Sequence, residues 1–154
     1  MDAKEKQDEM LDLMCKNEEK VSELYMIYAS KFPEYSDFWS GLAEEELGHS
    51  GVIRTLKYSD QVMFKEGRFE KNLIQISLKY MEDKIVEANT QNMTIADALS
   101  VAVELETNMI EQKFFVIFEG DFSELVEVFQ NLEKATQDHV EKLRSLWVEK
   151  RPNI

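Results

Sequence analysis

Apolar residues recur at every third or fourth position through most of this chain, and that pattern is broken in only a few places. With five glycines and two prolines in 154 residues, there is little material for the many tight turns of a sandwich or barrel. Such spacing buries one stripe of each helix and leaves the opposite face wet. The fold class it dictates is all-α, and the length suits one domain, residues 1–154, with a sizeable core.

The breaks place the helices. Leu11, Cys15, Glu18, Val21, Ser22, Tyr25 and Ala29 share one stripe of a first helix, about residues 6–31, ending at "KFPEY". Pro33 suits the first turn of the next helix, about 34–61, whose stripe is Trp39, Leu42, Glu46, His49, Ile53 and Leu56. The link is short, so these two pack antiparallel. A far longer connection follows and carries its own helical pattern, about 70–89, which reads as a crossover and as filler. Thr94 with Asp97 caps a third bundle helix, about 94–118, and Asp121 with Glu124 caps a fourth, about 122–150. That last helix turns Leu125, Val128, Leu132, Thr136, His139, Leu143 and Leu146 inward. Two antiparallel hairpins joined by one long crossover is the connectivity of ferritin-like four-helix bundles.

Polar residues lodged in the apolar stripes are the candidates for function. Glu18 points inward while its neighbour Glu19 falls on the wet side. Glu106 lines up with Ala102, Met109 and Ile110, whereas Glu104 lines up with Asp97, Asn108 and Glu111. Burying an unpaired carboxylate costs several kcal/mol or forces a proton onto it. No lysine or arginine shares those stripes at the levels of Glu18, Glu46 and Glu106, so metal cations are the economical neutraliser. His49 and His139, the two histidines of the chain, complete a mixed oxygen and nitrogen set that suits iron, manganese or zinc better than calcium. Glu46 lies 28 residues after Glu18, Thr136 lies 30 after Glu106, and His49 and His139 each follow three residues later. The halves thus read as degenerate copies of a unit in which one helix gives a glutamate and its partner gives Glu-x-x-His.

Charge and composition exclude other classes. A formal net charge of −13 repels nucleic acid and anionic membranes, and it attracts cations. There is no bilayer-length apolar run, and "MDAKEKQDEM" is too polar for a signal peptide. The single cysteine, Cys15, fits a reducing compartment and is read as a small core residue. A cytoplasmic location is the expectation.

"NEEKVSELYMIYASKFPEYSDFWSGLAEEELGHSG" resembles the first hairpin of rubrerythrin-like members of the ferritin-like superfamily, with Glu18 seven residues before Tyr25 and then Glu46-x-x-His49. "ADALSVAVELETNMIEQKFF" is similar to the third helix of that family and puts Glu106 at its ligand position. The resemblance spans roughly residues 10–147 and leaves the crossover out. It implies a metal centre of two iron ions, or one, that reduces peroxide or dioxygen under oxidative stress or oxidises ferrous iron. Glu18 and Glu106 would be terminal or bridging ligands, Glu46 a bridge, and His49 and His139 terminal nitrogen ligands. Tyr25, read from its stripe as core packing, could hydrogen-bond a ligand carboxylate.

Two departures from the family stand out. Thr136 occupies the place of the second glutamate in Glu-x-x-His, which predicts an asymmetric site: one ion on Glu18, Glu46 and His49, the other on Glu106, His139 and the bridge. The paired cysteines that bind an electron-transfer iron in full-length rubrerythrins have no counterpart here, so redox turnover would need an external electron donor. Homodimerisation is expected by analogy of fold. The competing reading is a metal-free helical bundle, acting in interaction or assembly, whose site has decayed through Thr136.

Overall fold

The computed structural model describes residues 3–58, 71–111 and 123–150, and among them every regular element is helical. The first helix, α1, spans Ala3–Lys31. It stops where Pro33 restricts the backbone of Phe32, which leaves the helical region at φ −121° and ψ 77°. Pro33 opens a 3-10 turn, Pro33–Tyr35, and so does not sit in the first turn of α2, which begins three residues later and spans Ser36–Thr55. A second 3-10 turn, Leu56–Tyr58, ends this part of the chain. Residues 59–61 of the expected second helix lie outside the described residues.

The crossover helix α3 spans Lys71–Thr90, within a residue of the sequence expectation at each end. Helix α4, Ile95–Glu111, starts at the expected capping box: the Thr94 N–H donates to Asp97 Oδ2 at 2.9 Å and the Asp97 N–H to Thr94 Oγ1 at 3.2 Å. The last helix, α5, is Ser123–Lys150. Residues 112–118, the cap at Asp121, and the side chains of Asn108, Met109, Ile110, Glu111, Leu125, Val128, Leu132 and Thr136 lie outside the described residues.

Cross-helix bonds give the directions. Along α1 the partners on α2 and the turn after it recede: Lys57 Nζ lies 2.7 Å from Asp12, Cys15 Sγ donates to the Ser50 carbonyl and Ser22 Oγ to the Ala43 carbonyl, so α1 and α2 are antiparallel. Along α1 the partners on α3 advance instead. Ser77 Oγ donates to Asn17 Oδ1, and Lys31 Nζ reaches the carbonyls of Ala88 and Gln91, so α1 and α3 are parallel. A four-residue link then turns the chain back into α4, tied to α3 by the Tyr80 hydroxyl on Glu104. On α5, His139 faces Glu46 and Lys142 faces Glu45, which sets α5 antiparallel to α2. Helices α2 and α4 therefore run one way, and α1 and α5 the other.

Burial follows the predicted stripes. Leu11, Val21, Tyr25, Trp39, Leu42, Ile53, Leu99, Ala102 and Leu143 are all buried. Trp39 is the centre of the aromatic part, with the rings of Tyr25, Phe38 and Tyr28 at 5.4, 5.2 and 4.9 Å. The crossover is more than filler, because Ile74, Leu78, Met81 and Ala88 of α3 enter the same core. Burying side chains the size of Ile74, Leu78 and Met81 stabilises the fold by about 1.5–3 kcal/mol each, so α3 is part of what holds α1 in place. Cys15 is buried, as a small core residue should be, and burial pushes its thiol pKa up.

Candidate metal centre

Four helices each aim carboxylate or imidazole groups at one level of the core. Helix α1 contributes Glu18, α2 Glu46 and His49, α4 Glu106, and α5 His139. All five face inward, as their helical spacing requires: Glu18, Glu46, Glu106 and His139 are exposed by 2% or less, and the His49 side chain by 12%. The carboxylates next to them in sequence behave differently. Glu19 takes Arg54 at 2.6 Å, and Glu104 accepts from Tyr80. Glu19 and Glu104 thus find a cation and a hydroxyl from neighbouring helices, while the ion pairs of the inward three are with imidazoles.

The five residues form two overlapping triads. Glu18, Glu46 and His49 bring one ligand atom each to within 4.8 Å of the others, and so do Glu46, Glu106 and His139. Glu46 belongs to both. Its Oε1 lies 3.0 Å from His139 Nδ1, and its Oε2 lies 3.5 Å from His49 Nδ1, so its two oxygens face the two halves of the cluster. Ligands bound about 2.1 Å from a divalent ion lie within about 4.2 Å of one another, and the His49 and His139 nitrogens lie 3.0 to 3.9 Å from their carboxylates, inside that span.

Donor satisfaction separates this cluster from an ordinary buried polar network. Glu18 Oε2, Glu46 Oε2, Glu106 Oε2 and His49 Nδ1 are buried without a hydrogen-bond partner. Buried polar atoms are almost always paired, and each orphan costs about 1–3 kcal/mol. Four orphans on one small set of side chains, all of types that ligate metals, are the arrangement a cation would satisfy.

The protonation pattern carries the same signature. Burial works against charge on His49, but the carboxylates of Glu18 and Glu46 beside it win and push it up to about 10. Burial likewise opposes the charge on His139, and Glu106 and Glu46 push it up to about 11. Burial, and then the neighbouring Glu46 charge, hold Glu18 well above the usual carboxylate range. Without a metal, protons held on Glu18 and on the two imidazoles do the neutralising.

Two supporting groups complete the surroundings. The Tyr25 hydroxyl donates to Glu106 Oε1 at 2.7 Å, and burial followed by the Glu106 charge keeps the phenol protonated as a donor. Periodicity had assigned Tyr25 to the core, where it also lies, and the resemblance alone had suggested the hydrogen bond. The carboxylate of Glu45, the residue before Glu46, meets His139 Nε2 on the side of the ring opposite Glu46. Metal-binding imidazoles are commonly held this way, one nitrogen inward and the other on a carboxylate. The missed signal was the position of Glu45 on the flank of α2, which has meaning only once α5 is known to lie there. Thr136 falls within α5, three residues before His139.

The class these features define is a helical protein with a carboxylate–imidazole cluster, of metal-binding composition, buried where α1, α2, α4 and α5 meet. No family model matches this chain, and no curated protein and no solved structure matches it. No helix among the described residues is long and apolar enough to cross a membrane.

Proposed function

We propose that this chain is a rubrerythrin-like member of the ferritin-like superfamily whose buried cluster holds iron, as one tightly bound ion and a second, weaker one. The observation that carries the proposal is the double membership of Glu46, whose two oxygens face different imidazoles within two triads. A carboxylate so placed is arranged to bridge two cations. The helix directions agree with a ferritin-like bundle, since a long crossover that makes α2 and α4 run the same way is what distinguishes that connectivity from an up-down-up-down bundle.

Charge balance argues for inequality between the two positions. One divalent ion on Glu18, Glu46 and His49, with one proton kept by the Glu106–His139 pair, leaves the buried cluster neutral. Two divalent ions displace both imidazole protons and leave one positive charge over, because the three carboxylates cannot balance them and Thr136 offers no fourth. A buried net charge is costly. The second ion would therefore bind more weakly or bring a hydroxide.

When bound, a pair of iron ions supplies the electrons for reducing peroxide or dioxygen, and ferrous iron can itself be the substrate oxidised. The residues present would hold the ions, with Glu46 shared between the two triads, Tyr25 holding Glu106, and Glu45 holding His139 with Nδ1 inward. The test is elemental analysis of protein purified without added metal, followed by anaerobic loading with Fe²⁺ and the absorbance change on adding peroxide. Bound iron with a peroxide-dependent spectrum is expected. A metal-free protein with a silent spectrum and no thermal shift on Fe²⁺ or Mn²⁺ would instead favour a helical bundle acting in interaction or assembly.

A further inference from the structure

Between α2 and α5 an open groove of about 1170 Å³ leads from solvent to the two imidazoles, with Gly41 and Glu45 on one wall and Asp138 and Lys142 on the other. His49 and His139 form part of its lining. The carboxylates of the cluster lie behind them, sealed to 2% exposure or less. Small residues keep it open: Gly41 on α2 faces it, with Ala135 and Ser145 on α5. A Cβ added at Gly41 would meet nothing within 4 Å.

The walls are predominantly acidic, with the two imidazoles at the inner end. Asp37, Glu45, Asp138, Glu141 and Glu149 outnumber a single lysine, Lys142, whose Nζ lies 3.9 Å from Glu45. A cleft lined by one sign of charge concentrates counter-ions and raises their on-rates by roughly 10- to 1,000-fold. Its inner end is marked by buried atoms without a hydrogen bond: His49 Nδ1 and, 3.9 and 3.5 Å behind it, Glu18 Oε2 and Glu46 Oε2.

Resting on the metal-centre reading, we propose that the α2–α5 groove is the route by which divalent cations reach the buried cluster, and that its acidic walls set the rate of loading. Glu45 is a positioning residue on this route. One of its oxygens meets His139 Nε2, which turns Nδ1 toward Glu46 and Glu106, and the other faces Lys142. An arriving cation thus passes from the acidic wall to an imidazole already aimed inward, and the protons it displaces leave by the same opening.

The test follows Co²⁺ uptake by stopped-flow absorbance in the full chain. Gly41→Trp plugs the groove, while Gly51→Trp places the same bulk where an added Cβ also meets nothing within 4 Å but outside the groove lining. The combined variant Asp138→Asn, Glu141→Gln, Glu149→Gln removes wall charge and leaves every cluster residue in place. Uptake by Gly41→Trp and by the charge variant should slow by about tenfold or more, the size of a steering effect, with unchanged final occupancy. Gly51→Trp should load like the natural chain, and the charge variant should lose most of its salt dependence. Should Gly41→Trp misfold, the charge variant decides alone. Natural-rate loading with full occupancy in the variants overturns the route and leaves the metal centre standing. Failure of the natural chain itself to bind Co²⁺ overturns the centre, and the route with it.

Discussion

His49 and His139 stack with ring centroids 5.5 Å apart and planes within 19°, although they stand on α2 and α5, in opposite halves of the chain. Both rings turn Nδ1 toward Glu46. Two imidazoles pushed up to about 10 and about 11 would repel each other as a bare pair. The carboxylates between and behind them are what make the arrangement tolerable, and they also make it exchangeable for metal.

Glu46→Gln should therefore weaken both metal positions, and Glu18→Gln only one. Outer residues of metal sites typically contribute 10–100-fold to affinity, so losing a shared ligand should cost at least about 100-fold. Equilibrium titration with Fe²⁺ or Mn²⁺, read by calorimetry, separates the two variants. Equal losses at both positions in Glu18→Gln would contradict the division into triads.

Thr136→Glu should restore the second Glu-x-x-His. It adds a carboxylate one helical turn before His139 and removes the excess positive charge that a second ion creates. The expected outcome is a stoichiometry near two ions of similar affinity, measured by elemental analysis after dialysis. In the metal-free state the same substitution should lower the melting temperature, because it adds an acid one helical turn from a cluster already rich in carboxylates.

Metal uptake should release protons. At neutral pH both imidazoles are charged, and a ligating imidazole must be neutral. Apparent affinity should then rise by about tenfold per pH unit for each proton displaced. Calorimetry in buffers of different ionisation enthalpy counts those protons, and a count of zero would refute the histidine ligation. For the metal-free protein the sign is opposite. Imidazole pKa values raised above the unfolded value of 6.5 contribute stability that is fully present below pH 6.5 and is lost as pH rises through about 10 and 11. Glu18, also raised, loses its contribution in the same direction. Melting curves taken from pH 6 to 11 should fall without metal and stay flatter with it.

Tyr25→Phe keeps the ring against Trp39 and deletes one donor to Glu106. A hydrogen bond to a charged group contributes about 1.5–3 kcal/mol, and urea unfolding of the metal-free variant should show a loss of that order. A loss below about 0.5 kcal/mol, the range of a neutral surface change, would mean that Glu106 finds another partner.

Much of this was legible in the chain before any coordinates. Glu18 and Glu106 could be told from Glu19 and Glu104 because a helix repeats every 3.6 residues and the inward face of each is written in leucine, alanine and valine. The capping box at Thr94 was legible for a similar reason, since both partners lie within one turn. Less was recoverable where the signal is non-local. The role of Glu45 depends on which helix lies beside the flank of α2, and the crossover was taken as filler because its amphipathic face says nothing about where it docks.

Sequence alone determined which side chains each helix turns inward, because helical geometry ties the facing of a residue to its neighbours three and four positions away. Tertiary structure decided which of those inward groups meet. Only the packing of α1, α2, α4 and α5 sets the two oxygens of Glu46 against different imidazoles, hands Glu45 to His139, and leaves a groove between α2 and α5. Distances between separate helices depend on how four surfaces fit together, and no stretch of chain short enough to carry a local pattern contains that information.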